Sequence, residues 1–521
     1  MKKLLSLSAI FLLVTVTVQA EDHHRLTNLP HLYINTFTSA DVTSKTNEVW
    51  AQLYLVDERD QVTYYDSIAI RGRGNSTWNM KKKPYRIKFQ KKTRLLGSDR
   101  ANAKKWTLLA NHGDKTLFRN ALASYIGDLC GQTFTPAAKF VDLTLNGDYK
   151  GCYQLSDQID VRKKRVNIEE QDYPLTEDSN ITGGYLIEAD GFKDYKEGVS
   201  GWKTTRGVPM TIHYPDDEKI APEQLKYIRG FVNNFERLLF GANYDDAEKG
   251  YRASVDSASL VSWYLASEVT ANPDYVWSMY YYKQRDDDHL YFGPLWDYDI
   301  AFNNDNRLIG SDPTHNLMAD VAFTNYGLEK WIDRMWTDEW FQQLVYRNYV
   351  SLLRQGLEKK LLNKIDSLST LLQESQELNY EKWNIRTRYL REIVLYSTYD
   401  AYVDDLRDFV AERLPALLKA FASRMKTPPD LTDVQTVTPG SHSLESVPME
   451  YALAYDKQNQ RLHFGCDDPS QLTFMVDIYD SQGHLVLRFP AYEGCNVSGL
   501  AKGLYIVAWD YQGHHSVKFM K

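Results

Sequence analysis

The feature that most constrains this chain is a change in the period of its apolar residues near Pro222. Before it, residues alternate at every second position, as in Leu53-Tyr54-Leu55-Val56, Val62-Thr63-Tyr64-Tyr65, Tyr85-Arg86-Ile87-Lys88-Phe89 and Phe140-Val141-Asp142-Leu143-Thr144-Leu145. β-Branched and aromatic residues at period two predict strands. Asn146-Gly147, between the last of these and the run Tyr149 to Leu155, carries the signal of a hairpin turn. In this half only Thr116 to Leu129 shows helical spacing. Beyond Pro222, apolar spacings of three and four predict helices over 224–240, 257–270, 337–362, 366–374 and 387–422. The expected class is α+β, a β-rich lobe followed by a helical lobe.

At 521 residues the chain is longer than one core sustains, since single cores stop growing near ~250–300 residues. Residues 428–445, rich in Pro, Ser, Thr and Gly, read as a linker between a domain at 30–427 and a second at 446–521. In the latter, short strands alternate with turns at Ser481-Gln482-Gly483, Lys502-Gly503 and Tyr511-Gln512-Gly513, a pattern expected of a small all-β sandwich. Residues 1–20 have the parts of a secretory signal peptide: Met1-Lys2-Lys3, an apolar run to Val18, and Ala20 before Glu21. No later apolar segment approaches the ~18 residues of a membrane span. The expectation is a secreted, periplasmic or cell-surface protein without an integral membrane segment. With 61 basic against 69 acidic residues, a net charge of −8, no global field attracts a polyanion, which argues against nucleic acid as a partner. In an oxidising compartment Cys130, Cys152, Cys466 and Cys495 allow one bridge in each half, with the connectivity open.

Two segments concentrate the candidate chemistry, Asn272-Pro273-Asp274-Tyr275 and Trp296-Asp297-Tyr298-Asp299. Pro273 disfavours helix at Asn272, so Asp274 is expected in a helix-to-strand turn, with a hairpin through Arg285-Asp286-Asp287-Asp288 returning the chain. Asp297 and Asp299, two apart, share a face if the backbone is extended, so three carboxylates are expected to converge. Hard oxygen donors set among aromatic rings suit Mg²⁺ or Ca²⁺. Paired acids such as Asp274 and Asp297 are also what a glycosidase needs. Upstream, Arg71-Gly72-Arg73-Gly74-Asn75-Ser76 combines glycines permitting a tight turn with basic residues suited to phosphate oxygens.

Arg71-Gly72-x-Gly74-Asn75-Ser76-Thr77-Trp78, with Lys82-Lys83-Pro84-Tyr85-Arg86-Ile87-Lys88-Phe89, resembles the opening motif of the CotH-like (spore coat protein H) atypical protein kinases. Further resemblances follow in the family's order at Trp106 to Asn111, Phe118-Arg119-Asn120, Leu145 to Tyr153, Gly183 to Glu188, and the two acidic segments. The resemblance implies a two-lobed protein-kinase-like fold that transfers the γ-phosphoryl group of ATP, with Mg²⁺ or Mn²⁺, to an acceptor protein rich in Ser or Thr. It implies Asp274 as the catalytic residue, Asp297 as metal ligand and Asp299 as a second ligand or support. Arg73, Asn75 and Ser76 would meet the nucleotide, with Lys83 or Lys88 on the phosphates and Glu188 as the partner of that lysine. Alternation puts Arg86 and Lys88 on the same strand face, so the sequence alone does not choose the phosphate-binding residue. The sequence departs from the family at Ser278, where members often carry a metal-binding Asn. That leaves open weakened activity, altered metal preference, or an inactive kinase-like surface binding or adhesion protein. The carboxy-terminal segment is similar to the sorting domains of type IX secretion in Bacteroidetes, which implies contact with secretion machinery.

Overall fold

The computed structural model describes residues 23–427, apart from 191–199, 217, 276, 322–328 and 390, and, further on, 452–456, 460–465, 475–480, 484–491, 493–510 and 514–521. The signal-peptide residues, the 428–445 linker and Cys466 lie outside the described residues. The chain divides into two compact units, Met1–Val437 and Thr438–Lys521.

The first unit begins with a closed barrel. Strands β1 (His31–Thr36), β2 (Val49–Val56), β3 (Val62–Gly72), β4 (Tyr85–Thr93) and β5 (Ala103–Leu109) pair in sequence. Helix α1 (Arg119–Cys130) intervenes, and the hairpin β6 (Lys139–Leu145) and β7 (Asp148–Asp157) completes the ring. β7 pairs with β5, and β6 returns parallel to β1 in the register His31 to Asp142. The alternation seen in sequence is what fills this barrel: Leu53, Ile70, Ile87, Trp106, Leu108, Val141 and Leu143 are buried in one cluster while their neighbours along each strand face outward. The turn at Asn146-Gly147 has both residues at positive φ, 51° and 76°, as a tight hairpin demands.

A second, antiparallel sheet has the order β12-β11-β8-β10-β9, with β8 (Tyr185–Ala189), β9 (Gly201–Lys203), β10 (Pro209–Tyr214), β11 (Met279–Lys283) and β12 (Leu290–Phe292). One hydrophobic core joins this sheet to α2 (Pro222–Leu239), α3 (Ser257–Val269), α4 (Met318–Val321), α5 (Glu329–Trp336), α6 (Glu339–Arg354), α7 (Leu357–Lys382) and α8 (Tyr399–Arg424). Helix α3 is buried on every side from Ser259 to Val269, the position its nearly continuous apolar sequence requires. No helix among the described residues is long and apolar enough to cross a membrane.

Three helix boundaries differ from expectation. α1 starts at Arg119 because Asp114 accepts hydrogen bonds from the backbone N–H groups of Thr116 (2.9 Å) and Arg119 (2.8 Å), which ends the preceding loop there. The 337–362 segment breaks at Gly356, whose φ of +75° no helix accommodates, and α7 then runs through 366–374 without interruption. Residues 383–398 are irregular despite their apolar spacing. Glu392 there is buried in an ion pair with Lys115 (2.7 Å), and the Thr398 hydroxyl accepts from the Ala401 N–H to begin α8. Cys130 and Cys152 are unpaired, so the expected bridge in the first half is not formed. Cys130 ends α1 and Cys152 is buried in β7, and burial pushes both thiols up to about 12, which keeps them protonated.

In the second unit the described strands form two antiparallel sheets. One orders β13 (Ala452–Asp456), β14 (Arg461–Gly465) and β17 (Cys495–Asn496); the other orders β16 (Leu485–Pro490), β15 (Met475–Tyr479), β18 (Leu504–Asp510) and β19 (His514–Met520).

The helical core of the first unit closes over a fully buried ion pair, Arg413 with Glu268 (3.0 Å). The carboxylate also accepts from the Met318 N–H (2.8 Å) and the Tyr264 hydroxyl (2.8 Å), while the guanidinium donates to the Asn316 carbonyl (2.6 Å). Removing one partner strands a charge in apolar surroundings. The R413M variant is expected to lose about 3–5 kcal/mol of unfolding free energy in urea titration, with part of the loss recovered in the R413M/E268Q double variant.

Candidate active site

The first unit contains a cleft of about 840 Å³ lined both by the barrel and by the segments that flank β11 and follow β12. On the barrel side β3 ends at Gly72, where the ring of Trp78 fills the space a Cβ would take, 2.3 Å away. Gly74 follows at φ +82°, a conformation that only glycine adopts freely, and the loop reverses over Trp78 toward β4. This turn aims Arg73 into the cleft, stacked at 5.2 Å over the ring of Trp296, immediately before Asp297. Asn75 and Ser76 are exposed on the same loop and line the cleft, with Lys45 donating to the Asn75 side-chain oxygen at 3.4 Å.

The opposite wall is acidic. Asp274 sits in the turn between α3 and β11, its N–H donating to Asn272 Oδ1 (3.1 Å). Its carboxylate forms an ion pair with Arg307 (2.7 Å), and Arg307 also holds the buried Asp305 (2.5 Å). Burial pushes the Asp274 carboxyl above its ordinary value, offset by Arg307. Asp299 is buried and pushed well up, first by desolvation and then by the charge of Asp297. Asp297 opens to the water of the cleft yet is surrounded by protein, and desolvation raises it to about 6 against the pull of Arg73. All three carboxylates thus line one cleft and act on one another.

The expected extended backbone at 297–299 is not observed. Asp297 has φ +68°, the left-handed region that Asp tolerates better than most residues. The two side chains reach the cleft through an irregular loop anchored by residues that received no role in the sequence reading. Asn120 Oδ1 accepts from the Tyr298 N–H (2.7 Å), and Asn304 Nδ2 donates to the carbonyls of Gly113 (2.9 Å) and Asp299 (3.1 Å). Asn120 belongs to the Phe118-Arg119-Asn120 motif, so its signal was present; nothing local pointed to Asn304 or Arg307. Ser278, at φ +49°, also lines the cleft.

Two expectations are corrected. Lys83 and Lys88 do not line the cleft. Lys83 turns back to donate to the Trp78 carbonyl (2.7 Å) over that residue's ring, and Lys88 lies beside Glu48 at 3.6 Å. The barrel cations that do line it include Arg71, Arg73, Arg86 and Lys105. Glu188, in the middle of β8, pairs with His213 (2.5 Å) and not with a lysine, while its charge also acts on Arg73. The basic run Arg162 to Arg165 is largely structural: Arg165 is buried on Asp157 (2.8 Å) and over the Trp106 ring, and Lys164 donates to the Asp99 carbonyl (2.5 Å).

The sequence profile described as CotH kinase protein matches residues 70–417, from β3 to α8. The chain belongs to the CotH kinase family. The CotH kinase match contains Arg73, Glu188, Asp274, Ser278, Asp297 and Asp299, and it stops before the second unit. No curated protein matches the chain. A CotH kinase is expected to use ATP with a divalent metal, and the donor set fits: two neighbouring carboxylates, each destabilised when ionised, supply the one or two protein oxygens that Mg²⁺ takes beside phosphate oxygens. Among the described residues no three His, Cys, Asp or Glu side chains are grouped closely enough to cage a metal on their own.

The raised carboxyl of Asp297 carries a sign that can be measured. A carboxyl whose pKa rises on folding opposes folding once ionised, an effect complete above its folded value of about 6 and absent below its ordinary 3.8. The D297N variant is expected to be more stable than the wild type at about pH 7 in the absence of divalent ions, and the gain shrinks as the pH falls through about 6 toward about 4. Urea unfolding followed across that range checks it; a gain that grows toward low pH contradicts the assignment.

Proposed function

We propose that this chain is an ATP- and divalent-metal-dependent Ser/Thr protein kinase acting outside the cytoplasm. In this reading the barrel and the helical part serve as the two lobes of a protein-kinase-like fold. The observation that carries the proposal is the stacking of Arg73 on Trp296, which sets a cation from the glycine turn beside the carboxylates of Asp297 and Asp299. Phosphoryl transfer asks the protein chiefly to position groups and offset charge, and this arrangement provides both within one cleft.

Arg73, with Arg71 and Arg86 nearby, would bind the phosphate oxygens, and the exposed Asn75 and Ser76 the nucleotide above them. Asp297 and Asp299 would hold the divalent ion, with the Ser278 hydroxyl as a further oxygen. When bound, that ion neutralises charge on the bridging phosphate oxygens. Asp274 would orient the acceptor hydroxyl and take its proton, a task helped by a pKa raised above the ordinary carboxylate range. Arg307 would keep Asp274 pointed into the cleft. The second unit would be a small β-sandwich, and the amino-terminal segment and this unit would direct export, the latter in the manner of a type IX sorting domain.

A second reading, a kinase-like binding or adhesion protein with little turnover, is favoured by Ser278 in place of a metal-binding Asn. The purified protein with γ-labelled ATP and Mg²⁺ or Mn²⁺ separates the two. Label transferred to a Ser-rich acceptor, reduced about 10²–10⁴-fold in D274N and lost in D297A, is the expected result. Equal labelling by D274N removes Asp274 from the reaction, and no label from the wild type with either metal leaves the binding reading.

A further inference from the structure

Between Asp297 and Asp299 stands Tyr298, only 4% exposed, and two separate hydrogen-bonded paths hold it. The first leaves from its backbone. The Tyr298 N–H donates to Asn120 Oδ1 (2.7 Å), Asn120 Nδ2 donates to Asn111 Oδ1 (3.2 Å), and Asn111 Nδ2 donates to the Leu117 carbonyl (2.6 Å) and to Gln154 Oε1 (3.2 Å). Gln154 is buried in β7, so this path runs from the barrel through the start of α1 to the acidic loop. Its ends fix its sense: the Tyr298 N–H can only donate and the Leu117 carbonyl can only accept, so each asparagine between them has one orientation. A flip of Asn120 would set two donors face to face at Tyr298 and two acceptors face to face at Asn111.

The second path leaves from the phenol. The Tyr298 hydroxyl lies 3.1 Å from Ser267 Oγ, which is buried in α3, and Asn272 hydrogen-bonds the same hydroxyl. Burial pushes the phenol up to about 12, so it keeps its proton throughout the neutral range. The Asn272 side chain, 2% exposed, also accepts the Asp274 N–H (3.1 Å). Tyr298 therefore joins the loop that carries Asp297 and Asp299 to the turn that carries Asp274. Every group along both paths is uncharged, so the paths fix backbone and ring without drawing on the carboxylates themselves.

We propose that Asn120 and Tyr298 are positioning residues for the transfer reaction: Asn120 sets the geometry in which the 297–299 loop meets the metal, and the Tyr298 hydroxyl sets Asp274 against that loop. The proposal rests on the kinase reading for the roles of Asp274, Asp297 and Asp299. Groups that orient metal ligands without touching the metal change affinity or activity by about 10–100-fold when removed.

The test measures Mn²⁺ binding to the full mature protein without nucleotide, from the electron paramagnetic resonance signal of the free ion, and in parallel the labelling of a Ser-rich acceptor from γ-labelled ATP. N120A removes the acceptor of the Tyr298 N–H and is expected to weaken Mn²⁺ about tenfold, with labelling restored by excess Mn²⁺. Y298F keeps that N–H and removes only the hydroxyl. In this variant Mn²⁺ binds as in the wild type, while kcat falls about tenfold, KM for ATP is unchanged and excess metal restores nothing. S124A, one turn further along α1 on the same cleft wall and outside both paths, behaves as the wild type. Thermal melts check that each variant is folded, and Y298F carries the test alone if N120A is not. Wild-type Mn²⁺ affinity in N120A, equal weakening in S124A, or parallel losses of metal and turnover in N120A and Y298F overturn the proposal. Binding abolished by D297A yet untouched in N120A removes the positioning role and keeps the metal reading, whereas no Mn²⁺ bound by the wild type removes both. Mn²⁺ weakened in N120A with no label from ATP in any protein keeps the hold of Asn120 on the loop and removes the kinase together with the role of Tyr298.

Discussion

The desolvation of Asp274, Asp297 and Asp299 in one cleft is the constraint on which the rest of the cleft depends. Carboxylates taken out of water turn back toward it unless their backbones are fixed and cations stand close by. Each is restrained by a different element. Arg307 holds Asp274, Asn120 and Asn304 hold the backbone on either side of the 297–299 loop, and Arg73 brings a positive charge over Trp296 from the barrel. The acidic loop and the glycine turn are thereby linked by one cation over one ring.

The polar contacts behind the cleft explain why these loops keep their shape. Lys82 is buried, donating to the Cys152 carbonyl (2.5 Å) and to Asn379 Oδ1 (2.9 Å), so that the barrel is tied to α7. Ser375 donates to Asp142 (2.7 Å) and Trp383 to the Lys150 carbonyl (2.9 Å), both across the same junction. Lys115 with Glu392 fixes the irregular segment, and Arg413 with Glu268 fixes the 314–319 stretch. Well-packed apolar residues would often do as well for stability. These contacts differ from apolar packing in direction, since each specifies one partner and one angle, and a cleft whose charges must not drift needs that specificity.

The change of apolar period was enough to divide the first unit into barrel and helices, because strands and helices bury one face at different repeats. The helix boundaries were less legible where the deciding group lay outside the helix, as with Asp114 before α1 and Glu392 before α8. The candidate carboxylates were legible from their unusual company of aromatic residues. Their geometry was not, because the left-handed turn at Asp297 is held by Asn120, distant in sequence. Alternation placed Arg86 and Lys88 on one outward face of β4, yet at about 3.4 Å per residue the second lies roughly 7 Å further along the strand. That distance is enough for Arg86 to line the cleft while Lys88 sits outside it, with Glu48 pairing with both. Arg307 was invisible for a simpler reason: its partner Asp274 is brought to it only by the packing of the intervening sheet.

The cations near the carboxylates come from two parts of the first unit. Arg71, Arg73, Arg86 and Lys105 line the cleft from the barrel, whereas Arg307 pairs with Asp274 from a loop of the helical part. The net charge of −8 works against an anionic partner at long range, which leaves recognition to groups in contact. In the proposed phosphoryl transfer, such a division would let the barrel cations offset the nucleotide phosphates while Arg307 holds Asp274. On that proposal, a phosphate delivered without a countercharge would face Asp297 and Asp299 directly, so the acidic wall would favour a reactant whose charge is already offset.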